Sequence, residues 1–228
     1  MFWFRGSVEG GVQVDVAFTD GSLDLRGRLP GFPAELERLE QACGVPFARL
    51  SQVHGDEVLV VEEAQPLHGV PSADALVTTT PRVGLMIRAA DCVPLVLADA
   101  RAGVVGVAHA GRLGMVLDVT TRAVEAMEAR GASRADLRAW VGPHVCGACY
   151  EVPATMREQV CAVVPEAWAE TSWGTPSVDV GRAVRAQLDR AGVAAAEVGG
   201  CTREEPSLPS YRRDGADSGR LAGLVWLS

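Results

Sequence analysis

Three residues are candidates for joint chemistry: His54, Cys92 and His109. His54 and His109 each sit where a β-type apolar run stops and a glycine-containing turn begins, and Cys92 lies in Ala90-Asp91-Cys92-Val93-Pro94, between two such runs. Side chains at the ends of rigid strands converge well on a shared site. Two imidazoles and one thiolate suit a catalytic zinc, because three protein ligands leave a fourth position open for water or substrate. Such an ion lowers the pKa of bound water to about 7 or polarises an oxygen. A plainer reading stands beside this one. A cysteine in an apolar stretch packs as a small hydrophobe, and a histidine in a reversal satisfies a local hydrogen bond. The three positions also lack the compact ligand spacing of a zinc finger.

Three further groups bear on chemistry. Cys146-Gly147-Ala148-Cys149 is a CxxC that suits a redox pair or half of a zinc site, but no second CxxC completes four thiolates. It precedes Tyr150-Glu151-Val152 directly instead of opening a helix, which favours an ordinary structural role. The segment from Val104 to Val119 reads strand, glycine-rich turn, helix, so backbone N–H groups near Gly111 and the guanidinium of Arg112 could hold an anion. A close-packed turn explains the same glycines, and the pattern is neither a dinucleotide fingerprint nor a P-loop. Arg212 and Arg213 lie in a long polar loop near the C-terminus; their forks suit phosphate or carboxylate. On residue types alone, pairing with Glu204, Glu205, Asp214 or Asp217 is preferred.

The elements that must position these groups follow from period and punctuation. A strand spans Val12 to Phe18, and Pro33 opens a helix that buries Leu36, Leu39 and Cys43 and ends at Gly44. Two short β-type runs flank His54-Gly55-Asp56, which reads as a tight reversal. Strands follow at Ala75 to Thr79, Val83 to Ile87, Val93 to Leu97 and Val104 to Ala108. After Gly111 the period lengthens, and one helix carries Val116, Val119, Ala123 and Met127 on one face and stops at Gly131. A strand then leads to a helix with Met156, Val160 and Val163 inward, ended by Pro165. Asp179 caps another helix that buries Val184 and Leu188 and closes at Gly192. Ala195 to Cys201 and Gly223 to Leu227 are the last strands. Without repeats or linkers, residues 1–228 are expected to form one α/β (α+β) domain.

Composition narrows the function. With 48% hydrophobic and 22% charged residues, the 228-residue chain can bury a core and is not disordered. A net charge of −8 repels phosphate backbones and acidic lipids, arguing against nucleic-acid or membrane-surface partners. The six cysteines come without an export signal, which favours thiols or metal ligands over disulfides. No uncharged apolar run approaches the ~18 residues that span a bilayer. The expectation is a cytoplasmic protein with a small-molecule substrate.

In order along residues 50 to 228, the chain carries Ser51-Gln52-Val53-His54-Gly55, Ala73-Asp74-Ala75-Leu76-Val77-Thr78, Ala90-Asp91-Cys92-Val93-Pro94 and Val107-Ala108-His109-Ala110-Gly111. Gly142-Pro143, Cys149-Tyr150-Glu151-Val152, Cys201-Thr202 and Ser210-Tyr211-Arg212-Arg213-Asp214 continue the series. This set resembles the YfiH or laccase-domain family, also called multicopper polyphenol oxidases or peptidoglycan editing factors. The resemblance implies mixed β-sheets in a sandwich flanked by helices, as in the catalytic domain of cytotoxic necrotizing factor toxins. It implies that His54, Cys92 and His109 bind zinc, and that the activity is purine nucleoside phosphorolysis of adenosine, inosine and methylthioadenosine, with adenosine deamination beside it. Four histidines are too few for a laccase-type copper cluster, which favours zinc over copper. A polyphenol oxidase, an editor of peptidoglycan precursors and an activity-reduced metal-binding protein remain as alternatives. Two segments depart from the pattern. The family's His-Ala-Gly-Trp-Arg-Gly reads His109-Ala110-Gly111-Arg112-Leu113-Gly114, and the N-terminal region (1–45) is shortened, lacking an Arg-x-Gly-Gly.

Overall fold

The runs Val93–Asp99 and Val104–Ala110 are buried at every position. A strand shows this only when both faces of its sheet are covered, and the fold supplies both covers. A computed structural model describes residues 1–64 and 69–228, so His68 lies outside the described residues. In chain order the strands are β1 Phe2–Glu9, β2 Gln13–Thr19, β3 Phe47–Ala48, β4 Val58–Val60, β5 Ala75–Thr78, β6 Gly84–Ala89, β7 Val93–Asp99, β8 Val104–Ala110, β9 Arg138–Val141, β10 Trp168–Glu170, β11 Pro176–Val178, β12 Ala194–Glu197 and β13 Leu221–Leu227. The helices are α1 Phe32–Cys43, α2 Arg112–Val116, α3 Val119–Glu128, α4 Ala154–Val163, α5 Val180–Ala191 and α6 Tyr211–Asp214.

Two mixed sheets form the sandwich. One has five strands in the order β1-β2-β13-β6-β3, and the other has six in the order β12-β9-β7-β8-β5-β4. Val16, Phe18, Ile87 and Val225 from the first pack on Val96, Val105 and Val107 from the second. The outer face of the five-stranded sheet takes α1 through Leu36 and Leu39. The outer face of the six-stranded sheet takes α3, α4 and α5 through Ala123, Met127, Val160, Val184 and Leu188. Each large apolar side chain so buried contributes about 1.5–3 kcal/mol. Among the described residues no helix is long and apolar enough to cross a membrane.

Several expectations hold. Pro33 lies in the first turn of α1 and Gly44 closes it at φ 75°. The Asp179 carboxylate accepts from the N–H of Arg182, and Gly192 ends α5 at φ 73°. Others are corrected. The runs around His54 are not a hairpin, because β3 pairs with β6 in one sheet and β4 with β5 in the other, so His54 lies on a crossover between sheets. The single helix after Gly111 is two, broken where Asp118 takes φ 64° and its carboxylate caps α3 at Thr121. Val163 faces solvent at 60% exposure, and Cys43 is only half-buried against the α1 core. The strand placed at Ala195 to Cys201 is the exposed edge strand β12, which stops at Glu197. β1, an edge strand that alternates partly buried with exposed positions, lacks the continuous apolar run that marks the inner strands.

The two sheets approach closely at glycine. A Cβ at Gly142 would overlap the Phe18 ring and lie 2.8 Å from Pro94 Cγ. Gly142→Ala is therefore expected to destabilise the chain by roughly 1–3 kcal/mol, read as a lower urea midpoint at unchanged slope.

Candidate metal centre

Strand register brings the first two groups together. β5, β8 and β7 are neighbours, with Ala75 opposite Ala108 and Pro94 opposite His109. Asp74, just before β5, and Cys92, just before β7, therefore flank His109 from either side. The backbone N–H of His109 donates to the Asp74 carbonyl at 2.7 Å. Cys92 lies where the chain crosses from β6 in one sheet to β7 in the other, and Asp91 makes that corner at φ 84°.

His54 arrives by a different route. It has φ 63°, a left-handed conformation that β-carbon-bearing residues rarely adopt. Its segment is held by the fully buried carboxylate of Asp74, which accepts from the backbone N–H groups of Val53 at 3.1 Å, His54 at 2.9 Å and Gly55 at 2.7 Å. The same carboxylate takes a fourth hydrogen bond from His109 Nδ1 at 2.8 Å. That bond places the ring proton on Nδ1 and turns Nε2 toward the shared site. Gln52 ties the segment to the other sheet, donating to the Arg88 carbonyl and accepting from its N–H.

The ligand atoms of His54, Cys92 and His109 all lie within 4.8 Å of one another. Cys92 Sγ is 3.8 Å from His54 Nε2, and a sulfur and a nitrogen bound tetrahedrally to zinc at about 2.3 and 2.0 Å stand about 3.5 Å apart. The imidazole rings meet edge to face at 4.8 Å between centroids. His109 is buried, Cys92 is half-buried and His54 is exposed, so the set opens to one side. The donors thus fit a divalent ion of zinc type with a free position. Gly111 is part of the fit, since a Cβ there would lie 2.6 Å from His54 Cδ2 and 3.0 Å from Cys92 Sγ.

Charge is arranged to match. Burial pushes the Cys92 thiol up, but His109 and His54 outweigh it and bring it down to about 6. Burial pushes His109 down, but Cys92 and the Asp74 carboxylate overcome that and raise it to about 9. Burial likewise raises Asp74, and its hydrogen bonds from His109 and Gly55 leave it below the usual carboxylate range.

The remaining sequence candidates are placed as follows. Arg112 opens α2 directly after Gly111, and its guanidinium makes no hydrogen bond or ion pair among the described residues. Arg212 donates to the Glu151 carbonyl at 2.6 Å and lies 4.3 Å over the Tyr150 ring, while its N–H donates to Asp91. The Arg213 fork is engaged by the Asp214 carboxylate and by the carbonyls of Thr202, Glu205 and Leu208. Internal pairing therefore describes Arg213. Cys146 and Cys149 are free thiols. The residue that sequence reasoning left without a role is Asp74. Its signal was a carboxylate set directly before a wholly buried strand, where an unpaired charge would cost several kcal/mol.

A family model described as multi-copper polyphenol oxidoreductase laccase matches residues 33–228. The chain belongs to that family. A relative from Streptomyces coelicolor, named purine nucleoside phosphorylase, is 49% identical over 85% of this chain and 81% of its own length. Another of that name from Streptomyces griseus is 46% identical over 91% of this chain and 87% of its own. A solved structure from Neisseria meningitidis is similar with a TM-score of 0.84 and 29% identity, covering 98% of this chain and 99% of that one. The YlmD structure from Geobacillus stearothermophilus has a TM-score of 0.84 and 26% identity, covering 94% and 92%.

Two outcomes are expected at this centre. Between pH 6 and 9 the metal-free chain holds Cys92 as thiolate and His109 as imidazolium, so of this pair His109 is the one that must lose a proton to a metal. Zinc uptake at pH 7.5 should then release about one proton, measured by calorimetry in buffers of different ionisation enthalpy. Asp74→Asn keeps one acceptor oxygen where two serve four donors, and should weaken metal binding by roughly 10–100-fold in competition with a chelating dye.

Proposed function

We propose that the chain is a zinc-dependent purine nucleoside phosphorylase acting on adenosine, inosine and methylthioadenosine, with adenosine deamination as a side activity at the same site. The observation that carries the reading is the convergence of His54, Cys92 and His109 into a set with one open side. The names of the Streptomyces relatives supply the substrate class. Zinc held by the three residues would supply a Lewis acid to an oxygen of a reactant.

The chain's own residues have the other tasks. In phosphorolysis the bond between C1′ and the purine nitrogen breaks, the electron pair and a proton go to the base, and a phosphate oxygen closes on C1′. A cation must hold phosphate beside the sugar. Arg112 has its whole fork available next to Gly111, where the backbone itself touches the centre. Arg212, on α6, is steadied on Tyr150 and tied through its N–H to Asp91, one residue before Cys92, which makes it the second candidate cation. Asp74 keeps His54 and His109 from drifting, so little reorganisation is needed when a nucleoside arrives.

An oxidase reading would need a copper cluster rich in imidazole. Among the described residues only His54 and His109 share a site; His144 is held apart, with Nδ1 bonded to the Gly142 carbonyl at 2.8 Å.

Incubation with inosine and phosphate is expected to yield hypoxanthine and ribose 1-phosphate, to stop with chelator and to resume with added zinc. Cys92→Ala should lose the zinc held with His54 and His109 and reduce turnover by more than about a hundredfold, beyond the effect of a group that only orients a ligand. No product from zinc-loaded protein, or full turnover in Cys92→Ala, would sink the assignment.

A further inference from the structure

A second set of metal-type donors lies outside the centre. The ligand atoms of Cys146, Cys149, Cys201 and Glu204 all fall within 4.8 Å of one another. All three cysteines are free thiols, Cys149 buried and the other two half-buried, and Glu204 lies on the exposed side.

The backbone that presents them is built twice to the same plan. In Cys146-Gly147-Ala148-Cys149 the Cys146 carbonyl accepts from the N–H groups of Cys149 at 2.9 Å and Tyr150 at 3.0 Å. In Cys201-Thr202-Arg203-Glu204 the Cys201 carbonyl accepts from Glu204 at 3.1 Å and Glu205 at 2.9 Å. Each turn thus offers ligands at its first and fourth positions. The turns are joined by a parallel bridge between His144 and Cys201, and the Cys146 N–H donates to Cys201 Sγ at 3.5 Å. Cys149 Sγ lies 3.4 Å from Glu204 Oε1. An N–H aimed at a sulfur is the support that a ligating thiolate needs. Both turns are also braced from outside: Ser177 Oγ donates to the Gly147 carbonyl, and Arg203 lies 4.7 Å over the Trp173 ring.

We propose that Cys146, Cys149, Cys201 and Glu204 form a second, structural zinc site, in which the Cys-x-x-Glu turn completes the Cys-x-x-Cys turn. Four protein ligands close the coordination shell, so this ion does no chemistry on substrates. Its role follows from what the second turn carries. Thr202 Oγ1 donates to Asp91 Oδ1 at 2.6 Å, and Asp91 Oδ2 accepts the Arg212 N–H at 2.6 Å. Pinning Cys201 and Glu204 therefore holds the loop that fixes the Asp91 corner, one residue before Cys92. Thiolate softness selects zinc over magnesium or calcium.

The test counts metal in the full chain, purified with reductant and dialysed against chelator-treated buffer. The wild type is expected to hold about two zinc ions and Cys92→Ser about one, with the remaining ion lost in Cys92→Ser combined with Cys201→Ser. Cobalt(II) in the Cys92→Ser chain should give a sulfur-to-metal absorption band that weakens as Cys146, Cys149 and Cys201 are replaced in turn. Glu204→Gln, a milder change, should keep the band and bind zinc at least about tenfold more weakly. A Cys92→Ser chain that folds and holds no metal would overturn the proposal, as would finding these thiols joined as a disulfide in unreduced wild type. If wild type and Cys92→Ser each hold one ion, the second site stands and the zinc assignment at His54, Cys92 and His109 is the one that fails.

Discussion

One buried carboxylate organises the centre. Asp74 takes four hydrogen bonds, three from consecutive backbone N–H groups of a crossover segment and one from an imidazole on the neighbouring strand. A carboxylate removed from water costs several kcal/mol unless each lone pair finds a donor, so the segment cannot leave without exposing an unsatisfied charge. That penalty holds His54 at a left-handed backbone conformation it would otherwise avoid. It also aligns His109. Two candidate ligands from distant parts of the chain are thus set by one interaction, and the third, Cys92, follows from the register of β7 against β8.

The sandwich makes that interaction possible. The chain passes from the six-stranded sheet at β5 to the five-stranded sheet at β6 and returns at β7. Each crossing leaves a corner at one end of the sheets, and Cys92 occupies the second of them. Small residues permit the close approach: Gly142 accommodates Phe18 between the sheets, and Gly111 accommodates His54 and Cys92. The rigid part is the stacked strands, and the reactive groups lie on their rims, where one side remains open to solvent.

A chain of polar contacts runs from the centre to the C-terminal loop. Asp91 faces Thr202 and the N–H of Arg212, while Arg213 spends its fork on carbonyls of the same loop. The guanidinium pair that looks alike in sequence is therefore split by tertiary structure, one member shaping the loop and the other steadied on an aromatic ring. Residue type announced cationic forks; only the carbonyls that surround them decided which fork was already filled.

Elements with local causes were legible. α1 and α5 begin and end where Pro33, Asp179, Gly44 and Gly192 say they should, because capping and left-handed glycine act within a turn or two. Apolar runs announced β5 to β8 for the same reason. What the residues could not announce was partnership across the chain. β3 and β4 are close in sequence yet belong to different sheets, and the helix after Gly111 breaks because the Asp118 side chain caps a new one. Candidate ligands were identifiable from their chemistry, since thiols and imidazoles at strand ends are few. Their meeting was not, because it depends on strand register and on a buried carboxylate whose value appears only once water has been excluded from around it. The same holds for Glu204, an unremarkable surface acid in the sequence that folding sets beside three thiols.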